Sequence, residues 1–237
     1  MASSTVENYV KQIYLLQQRE PGKRVLMGRL ADAMRVVPGT ATTMIKALAD
    51  SGLVLYAPRS GVRLTRGGEQ LALHVLRRHR LIELLLVKTL GFDWSEVHDE
   101  AEELEHAISD KVLDRIDALL GHPKTDPHGD PIPTRKGEVE LTPAASLLDC
   151  EAGSDHRIVR VVDQEAAFLD FLKRNKLTPG GAVRVSHRDN EAGAVTVRTS
   201  DGTMITLGHL AAAKILVARL APAREKKTRV GRRRSAV

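Results

Sequence analysis

Apolar residues recur at helical spacing through the first fifty positions of the chain, with short breaks between the runs. The period predicts helices over residues 5–18, 27–34 and 40–51. Two β-prone runs, Leu53–Tyr56 and Val62–Leu64, flank a Pro-Arg-Ser-Gly turn and predict a hairpin. Short helices followed by a hairpin in this order are typical of a winged helix-turn-helix domain.

The middle of the chain continues in the helical pattern. Helices are predicted over residues 67–90, 95–108 and 110–120, and Ser109 can cap the last of them. Four prolines then interrupt residues 121–133, which predicts an extended connector.

The last third of the chain has a different texture, with short apolar runs between frequent turns. Strands are predicted over residues 158–162, 182–185, 195–198 and 204–206, with one helical piece over 165–173. This pattern is typical of a small β-barrel. The chain is therefore predicted to be mainly α with a small β domain.

These patterns divide the chain into five segments. They are the winged helix-turn-helix (1–70), a helical domain (71–140), a linker (141–156), the β domain (157–220) and a basic tail (221–237). The tail has too few apolar residues to fold alone and is predicted to be disordered.

Charge adds a contrast that the net value of +6 conceals. Residues 1–80 carry 13 Lys and Arg against 5 Asp and Glu, whereas residues 81–220 carry 16 against 24. A basic first third favours a polyanionic partner such as nucleic acid. An acidic middle favours either cation binding or simple solubility.

Composition excludes several classes of protein. One cysteine, Cys150, permits no internal disulfide and no zinc cage of thiolates. No apolar run approaches the roughly 18 residues of a membrane span, and the N-terminus does not resemble a secretory signal. We therefore expect a cytoplasmic protein that does not bind a membrane.

The acidic helix carries the most specific chemistry. Glu102, Glu105 and His106 stand at i, i+3 and i+4, which places two carboxylates and an imidazole on one helical face. Such a group suits a divalent cation, although a solvated acidic face is the common alternative. His79 and Glu83 on the preceding helix, also at i and i+4, and His98 strengthen the metal hypothesis. Oxygen and nitrogen ligands without a thiolate suit Mn²⁺ or Fe²⁺.

The order of these motifs resembles the metal-dependent transcription repressors of the diphtheria toxin repressor and manganese transport regulator type. The resemblance lies in four stretches and covers about residues 5–133. They are Glu7–Tyr14, Arg78–Leu81, His98–His106 and the connector Pro127–Pro133. It implies a helical dimerisation domain in the middle of the chain and, more weakly, an SH3-like β-barrel at the C-terminal side.

The resemblance also implies metal ligands. A primary, activating site would use Asn8, Glu102, Glu105 and His106. An ancillary site would use His79, Glu83 and His98, with a third-domain carboxylate that falls on Glu165. In the manganese branch of the family the two sites merge into a close pair that includes the position of His79.

Three positions bear on the choice of metal. Glu102 stands where the iron-responding branch has a cysteine, which favours Mn²⁺, with Fe²⁺ as the close alternative. Manganese regulators, however, carry carboxylates at the positions of Asn8 and Lys11. Asn8 can still offer its carbonyl oxygen, whereas a protonated Lys11 cannot ligate a metal. Lys11 therefore argues against the two-carboxylate manganese pair of those regulators being reproduced here.

The expected partner is double-stranded DNA, in the form of a palindromic operator bound by a homodimer. On the recognition helix we expect Thr40, Thr42, Thr43 and Lys46 to face DNA, although Thr40 can equally be an N-cap. Candidate phosphate contacts are Arg59 and Ser60 on the wing, and Lys23 and Arg24 before the second helix.

The leading hypothesis is a metal-activated regulator of manganese and iron homeostasis genes, with no enzymatic activity and no small-molecule substrate. Two alternatives remain open. One is a manganese- or iron-dependent hydrolase that uses the same His/Glu cluster, although no catalytic motif supports it. The other is an architectural DNA binder with a structural metal.

Overall fold

A computed structural model describes residues 3–220 of the chain, and the basic tail predicted over 221–237 lies outside the described residues. The helices are α1 (Ser4–Arg19), α2 (Met27–Ala33), α3 (Pro38–Asp50), α4 (Arg66–Leu90), α5 (Val97–Glu105), α6 (Asp110–Leu119), α7 (Ala166–Arg174) and α8 (His209–Ala213). The strands are β1 (Val54–Ala57), β2 (Gly61–Leu64), β3 (Ala145–Ser146), β4 (Asp155–Val161), β5 (Ala182–Asp189), β6 (Ala194–Thr199), β7 (Met204–Gly208) and β8 (Ile215–Arg219). The predicted fold class, mainly α with a small β domain, is confirmed.

The described chain forms two compact units. The first comprises residues 3–142 and 160–174, and the second comprises residues 143–159 and 175–220. Residues 160–174, which include α7, therefore belong to the first unit, where Ser95 Oγ donates a hydrogen bond to Asp170 Oδ1 at 2.9 Å. The five-segment division drawn from the sequence stays a prediction.

Residues 3–64 form three helices and a hairpin around one apolar core. Ile13 of α1, Leu30 of α2 and Ile45 of α3 are fully buried there, together with Val62 of the hairpin. β1 and β2 pair antiparallel, from Val54 opposite Leu64 to Ala57 opposite Gly61. This arrangement places α3 in the position of a recognition helix and the hairpin in the position of a wing.

The long helix α4 leads from the wing into the acidic region. Its N-terminus is capped by Thr65, whose Oγ1 accepts a hydrogen bond from Gly68 N at 3.1 Å, and Gly91 ends it with a φ of 74°. The predicted cap of α6 is confirmed, since the Ser109 side chain accepts from Val112 N. Within residues 3–220, no helix is both long and apolar enough to cross a membrane.

Apolar contacts fix α5 and α6 against α4. Ile82 and Leu86 of α4 pack with Val97 and Ala101 of α5. A separate cluster, formed by Leu81, Leu84, Leu113, Ile116 and Ile132, joins α4 to α6 and to the connector. The acidic helix is therefore held by its apolar side, while its Glu102 and Glu105 face α1 and α4.

The second unit is built around a six-stranded sheet with the order β3-β8-β4-β5-β6-β7. β5 pairs antiparallel with β6, with a register shift between Val185 and His187, and β6 pairs antiparallel with β7. Val183, Val185, Val195 and Val197 alternate into the core, as expected for strands with one buried face.

Gly68 marks a point where α4 touches the segment before β1. A Cβ on Gly68 would lie 2.0 Å from the backbone oxygen of Leu53, whereas a Cβ on Gly67 meets nothing closer than 3.8 Å. We expect Gly68→Ala to lower the free energy of unfolding by about 1–3 kcal/mol, because the overlap is with backbone. Urea unfolding followed by circular dichroism measures this change.

Gly67→Ala is the matched control, since it adds the same methyl group one residue earlier. It should leave the protein at least as stable as the wild type, because alanine is the better helix former. Equal stability of the two variants would contradict the close contact at Gly68.

Candidate functional site

Three helices of the first unit bring most of the predicted metal ligands into one cluster. α1 provides residues 7, 8 and 11, α4 provides residues 79 and 83, and α5 with its C-cap provides residues 98 to 106. Seven of the eight predicted ligands lie in this cluster. They are Asn8, His79, Glu83, His98, Glu102, Glu105 and His106.

His79 lies buried between two carboxylates. Its Nδ1 is 2.8 Å from Glu105 Oε2, and its Nε2 is 3.0 Å from Glu83 Oε1. Burial acts to lower the pKa of His79, but the Glu83 charge and the hydrogen bonds to both carboxylates raise it to about 9. The space between Glu83 and Glu105 therefore favours a positive charge, which protonated His79 supplies in the absence of metal.

The two carboxylates respond in the opposite direction. Burial acts to raise the pKa of Glu83, but the charge of His79 and its hydrogen bond hold that pKa well below the usual range. Burial likewise acts to raise the pKa of Glu105, and His79 and Lys11 lower it. Both groups are thus charged at neutral pH, as metal ligands must be.

His106 faces oxygen atoms on both sides of its ring. Its Nδ1 is 2.7 Å from Glu7 Oε2, while its Nε2 is 2.8 Å from Asn8 Oδ1 and 3.3 Å from Glu105 Oε1. When Nδ1 donates to Glu7, the lone pair of a neutral imidazole points from Nε2 toward two further acceptors. In that tautomer, a cation placed among Nε2, Asn8 Oδ1 and Glu105 Oε1 satisfies all three acceptors, so the donor set fits a divalent metal.

His98 completes a second group at the more open side of the cluster. Its Nδ1 is 3.7 Å from Glu83 Oε1, and its Nε2 is 3.9 Å from Glu102 Oε1. His79, Glu83 and His98 offer ligand atoms within 4.8 Å of one another, as do His79, Glu102 and Glu105. These two clusters share His79, so His79 of the predicted ancillary site lies beside Glu102 and Glu105 of the predicted primary site.

A third group contains two residues that the sequence analysis did not single out. Glu83, Asp126 and His128 also bring ligand atoms within 4.8 Å of one another, and all three are buried. His128 Nε2 donates to the backbone oxygen of Trp94 at 2.9 Å, which leaves Nδ1 as an acceptor in the neutral ring. The signal in the sequence was Asp126-Pro127-His128 in the connector, read only as part of a motif.

Two atoms of this third group are buried without a hydrogen bond among residues 3–220. They are Asp126 Oδ2 and His128 Nδ1. Burial, with the charges of Asp130 and Glu83, raises the pKa of Asp126 well above its usual value, although Arg80 Nε lies 3.6 Å from Asp126 Oδ2. Orphaned acceptors beside a carboxylate are what a cation would satisfy, so this group fits a metal as well.

Glu165 is placed differently from the other predicted ligands. Its side chain is exposed, and its backbone N–H donates to Asp163 Oδ1 at 3.1 Å just before α7. Within the described part of the chain, no group of candidate metal ligands includes Glu165.

The recognition helix presents a mixed surface. Thr40, Thr43 and Lys46 are exposed, and Thr42 is half-buried. The Thr42 and Thr43 hydroxyls donate to the backbone oxygens of Pro38 and Gly39, at 2.8 and 3.1 Å. Thr40 is not the N-cap, because α3 starts two residues earlier at Pro38.

The predicted phosphate contacts differ in exposure and in the partners that their side chains already have. Arg59 and Ser60 are exposed at the tip of the wing, and Lys23 is exposed beside Glu20. Arg24 instead donates to the backbone oxygen of Leu55 at 2.9 Å, so it supports the wing from below.

Comparison with known proteins covers almost the whole chain. Residues 1–62 match the iron-dependent repressor N-terminal DNA-binding domain, and residues 65–134 match the iron-dependent repressor metal-binding and dimerisation domain. Residues 145–219 match the FeoA domain.

Individual relatives agree with these matches. The iron-dependent repressor IdeR of Mycobacterium tuberculosis is 33% identical over 220 residues, which are 86% of this chain and 93% of that protein. The diphtheria toxin repressor of Corynebacterium efficiens is 36% identical over 210 residues, covering 86% and 90%. A solved manganese-dependent transcriptional repressor in complex with manganese is 40% identical, with a TM-score of 0.83, and covers 91% of this chain and all of that one.

Proposed function

This chain belongs to the family of iron-dependent repressors that includes the diphtheria toxin repressor. We propose that metal binding between α1, α4 and α5 controls its affinity for an operator. Proteins of this family are metal-dependent DNA-binding repressors of iron and manganese homeostasis, not enzymes. The hydrolase alternative therefore has no support. The chain acts on double-stranded DNA as a homodimer, with Mn²⁺ or Fe²⁺ as the activating metal.

The proposed primary ligands are Asn8, Glu102, Glu105 and His106. The observation that carries the proposal is that His106 Nε2 lies close to two oxygen atoms, Asn8 Oδ1 and Glu105 Oε1. The proposed ancillary ligands are His79, Glu83 and His98. Asp126 and His128, with their orphaned acceptor atoms, form a third position that shares Glu83. A bound divalent ion would supply positive charge that neutralises these carboxylates and ties α1 to α5.

Helix α1 connects the metal ligands to the DNA-binding surface. Asn8 faces α5, whereas Tyr9 and Ile13 on the opposite side are buried in the core shared with α2 and α3. Any change in how Asn8 and His106 are held therefore moves α1 relative to α5, and α3 moves with α1. In a homodimer, such a movement sets the distance between the two recognition helices and thereby selects the bound state.

The DNA contacts and the cellular location extend the same proposal. Thr40, Thr42, Thr43 and Lys46 face the groove of a palindromic operator, and Lys23, Arg59 and Ser60 contact its phosphates. Arg24 acts by supporting the wing. A regulator of this type works in the cytoplasm, where the chromosome lies.

An operator-binding titration tests the proposal. Duplex DNA selected from a random pool in the presence of Mn²⁺ serves as operator, and fluorescence anisotropy measures binding with Mn²⁺, Fe²⁺ or Zn²⁺ added in turn. Specific binding that needs added Mn²⁺ or Fe²⁺ is expected. Equal binding by the metal-stripped protein would instead favour an architectural DNA binder with a structural metal.

The preference between metals follows from Glu102, which offers an oxygen where a thiolate would favour softer ions. We expect Glu102→Cys to raise affinity for Zn²⁺ relative to Mn²⁺ by at least about tenfold. Isothermal titration with each metal measures the ratio. Leu104→Cys, an exposed thiol on the same helix, is the control and should keep the wild-type ratio. An unchanged ratio in Glu102→Cys would show that Glu102 does not bind the metal directly.

A further inference from the structure

The ammonium group of Lys11 lies inside the proposed metal centre. Lys11 is only 2% exposed, and its Nζ is 2.5 Å from Glu102 Oε1 and 2.6 Å from Glu105 Oε1. A buried lysine is costly unless it is paired, and here it is paired with two carboxylates that lie 91 and 94 residues away along the chain. The pair is built by α1 meeting α5.

We infer that the Lys11 ammonium is a resident cation that competes with the divalent metal for Glu102 and Glu105, and so sets the metal concentration to which the protein responds. This inference rests on the proposed function. It adds that the metal-free site already holds a positive charge between Glu102 and Glu105, which Lys11 of α1 supplies.

The charges around Lys11 support this competition. The carboxylates of Glu102 and Glu105 on α5 face the Lys11 ammonium. The imidazole of His79 on α4 lies against the other oxygen of Glu105, Oε2. On the helix of Lys11 itself, Glu7 is turned away, toward His106 and Arg78. A divalent ion that takes Glu102 Oε1 or Glu105 Oε1 must therefore either displace the ammonium or lie beside a like charge at close range, and both weaken its binding.

Three variants of the full chain test the inference with Mn²⁺ alone as the probe. Lys11→Gln removes the charge, Lys11→Arg keeps it, and Lys88→Gln removes an equal charge from an exposed position on α4. Isothermal titration gives the Mn²⁺ Kd, and thermal melting with and without Mn²⁺ follows the fold. No DNA is present in either measurement.

We expect Lys11→Gln to bind Mn²⁺ at least about tenfold more tightly than the wild type. The metal-free Lys11→Gln chain should melt at a lower temperature than the wild type, because Glu102 and Glu105 lose their cationic partner. Added Mn²⁺ should restore the melting temperature. Lys11→Arg and Lys88→Gln should keep the wild-type Kd within about threefold, since neither changes the charge at the carboxylates.

Three results would overturn the inference. The first is an Mn²⁺ Kd in Lys11→Gln equal to that of the wild type. The second is a Lys11→Gln chain whose melting temperature Mn²⁺ does not raise. The third is an Mn²⁺ Kd in Lys11→Arg that is lowered as much as in Lys11→Gln. If the wild type and Lys11→Gln both bind Mn²⁺ equally, only the role of Lys11 fails. If neither binds Mn²⁺ while the metal-free protein binds its operator, the proposed function fails with it.

Discussion

Glu105→Gln is expected to abolish metal-activated operator binding, with at least about a hundredfold loss of affinity at Mn²⁺ concentrations that saturate the wild type. Glu105 is fully buried and has three close partners: Lys11 Nζ at 2.6 Å, His79 Nδ1 at 2.8 Å and His106 Nε2 at 3.3 Å. The amide keeps the shape of the side chain but loses the charge that a divalent ion needs. Fluorescence anisotropy of labelled operator, with and without Mn²⁺, measures the loss.

Glu103→Gln provides the control, because it removes the same charge from an exposed position of the same helix. That variant should bind operator as the wild type does. Circular dichroism of Glu105→Gln separates loss of metal response from loss of fold, since Lys11 and His79 are left with fewer partners. Operator binding by folded Glu105→Gln that still depends on Mn²⁺ at wild-type concentrations would remove Glu105 from the set of ligands.

The local parts of the metal centre are predictable from the sequence, because helix geometry alone brings residues three and four apart onto one face. His79 with Glu83, and Glu102 with Glu105 and His106, are such groups. Their close contacts in the structure follow from α4 and α5 being helical at these positions. The same local logic gave the hairpin of the wing and the cap at Ser109.

Contacts between distant elements are not predictable in this way. Lys11 was read from the sequence only as a residue that cannot ligate a metal, and nothing in its neighbourhood along the chain indicates that it bridges two carboxylates of α5. Glu7 next to Asn8 is buried for the same kind of reason, since its partners Arg78 and His106 come from other elements.

The ends of elements show a further limit of local patterns. Thr40 has the side chain of an N-cap, but Pro38 suits the first turn of a helix even better and α3 begins there. Strand β8 follows the alanine-rich α8 without a turn of glycine or proline between them, and the sequence pattern predicts neither element. Residues 160–174 belong to the first unit although the chain on both sides of them belongs to the second, an arrangement that no local pattern indicates.

Proton competition is expected to make Mn²⁺ binding strongly dependent on pH. Two carboxylates raise the pKa of His79 to about 9 against the burial that lowers it, yet His79 must be neutral to ligate a metal. From pH 6 to pH 8 the Mn²⁺ Kd should therefore fall by at least about a hundredfold, tenfold for each pH unit per proton released. The stability of the metal-free fold should decrease as the pH rises. Protonated His79 contributes its full stabilisation below about pH 6.5, and this contribution is lost as the pH rises through about 9.

Anaerobic isothermal titration at several pH values measures the slope, and two variants of α4 assign it. His79→Gln should bind Mn²⁺ more weakly and with a shallower slope, because the proton that competes with the metal has been removed together with the ligand. His74→Gln, whose histidine pairs with Asp110 at 3.1 Å outside the cluster, should keep the wild-type slope. A wild-type Kd that stays constant between pH 6 and pH 8 would mean that His79 keeps its proton when the metal binds, and the ancillary site would then have to be built from Glu83 and His98 without it.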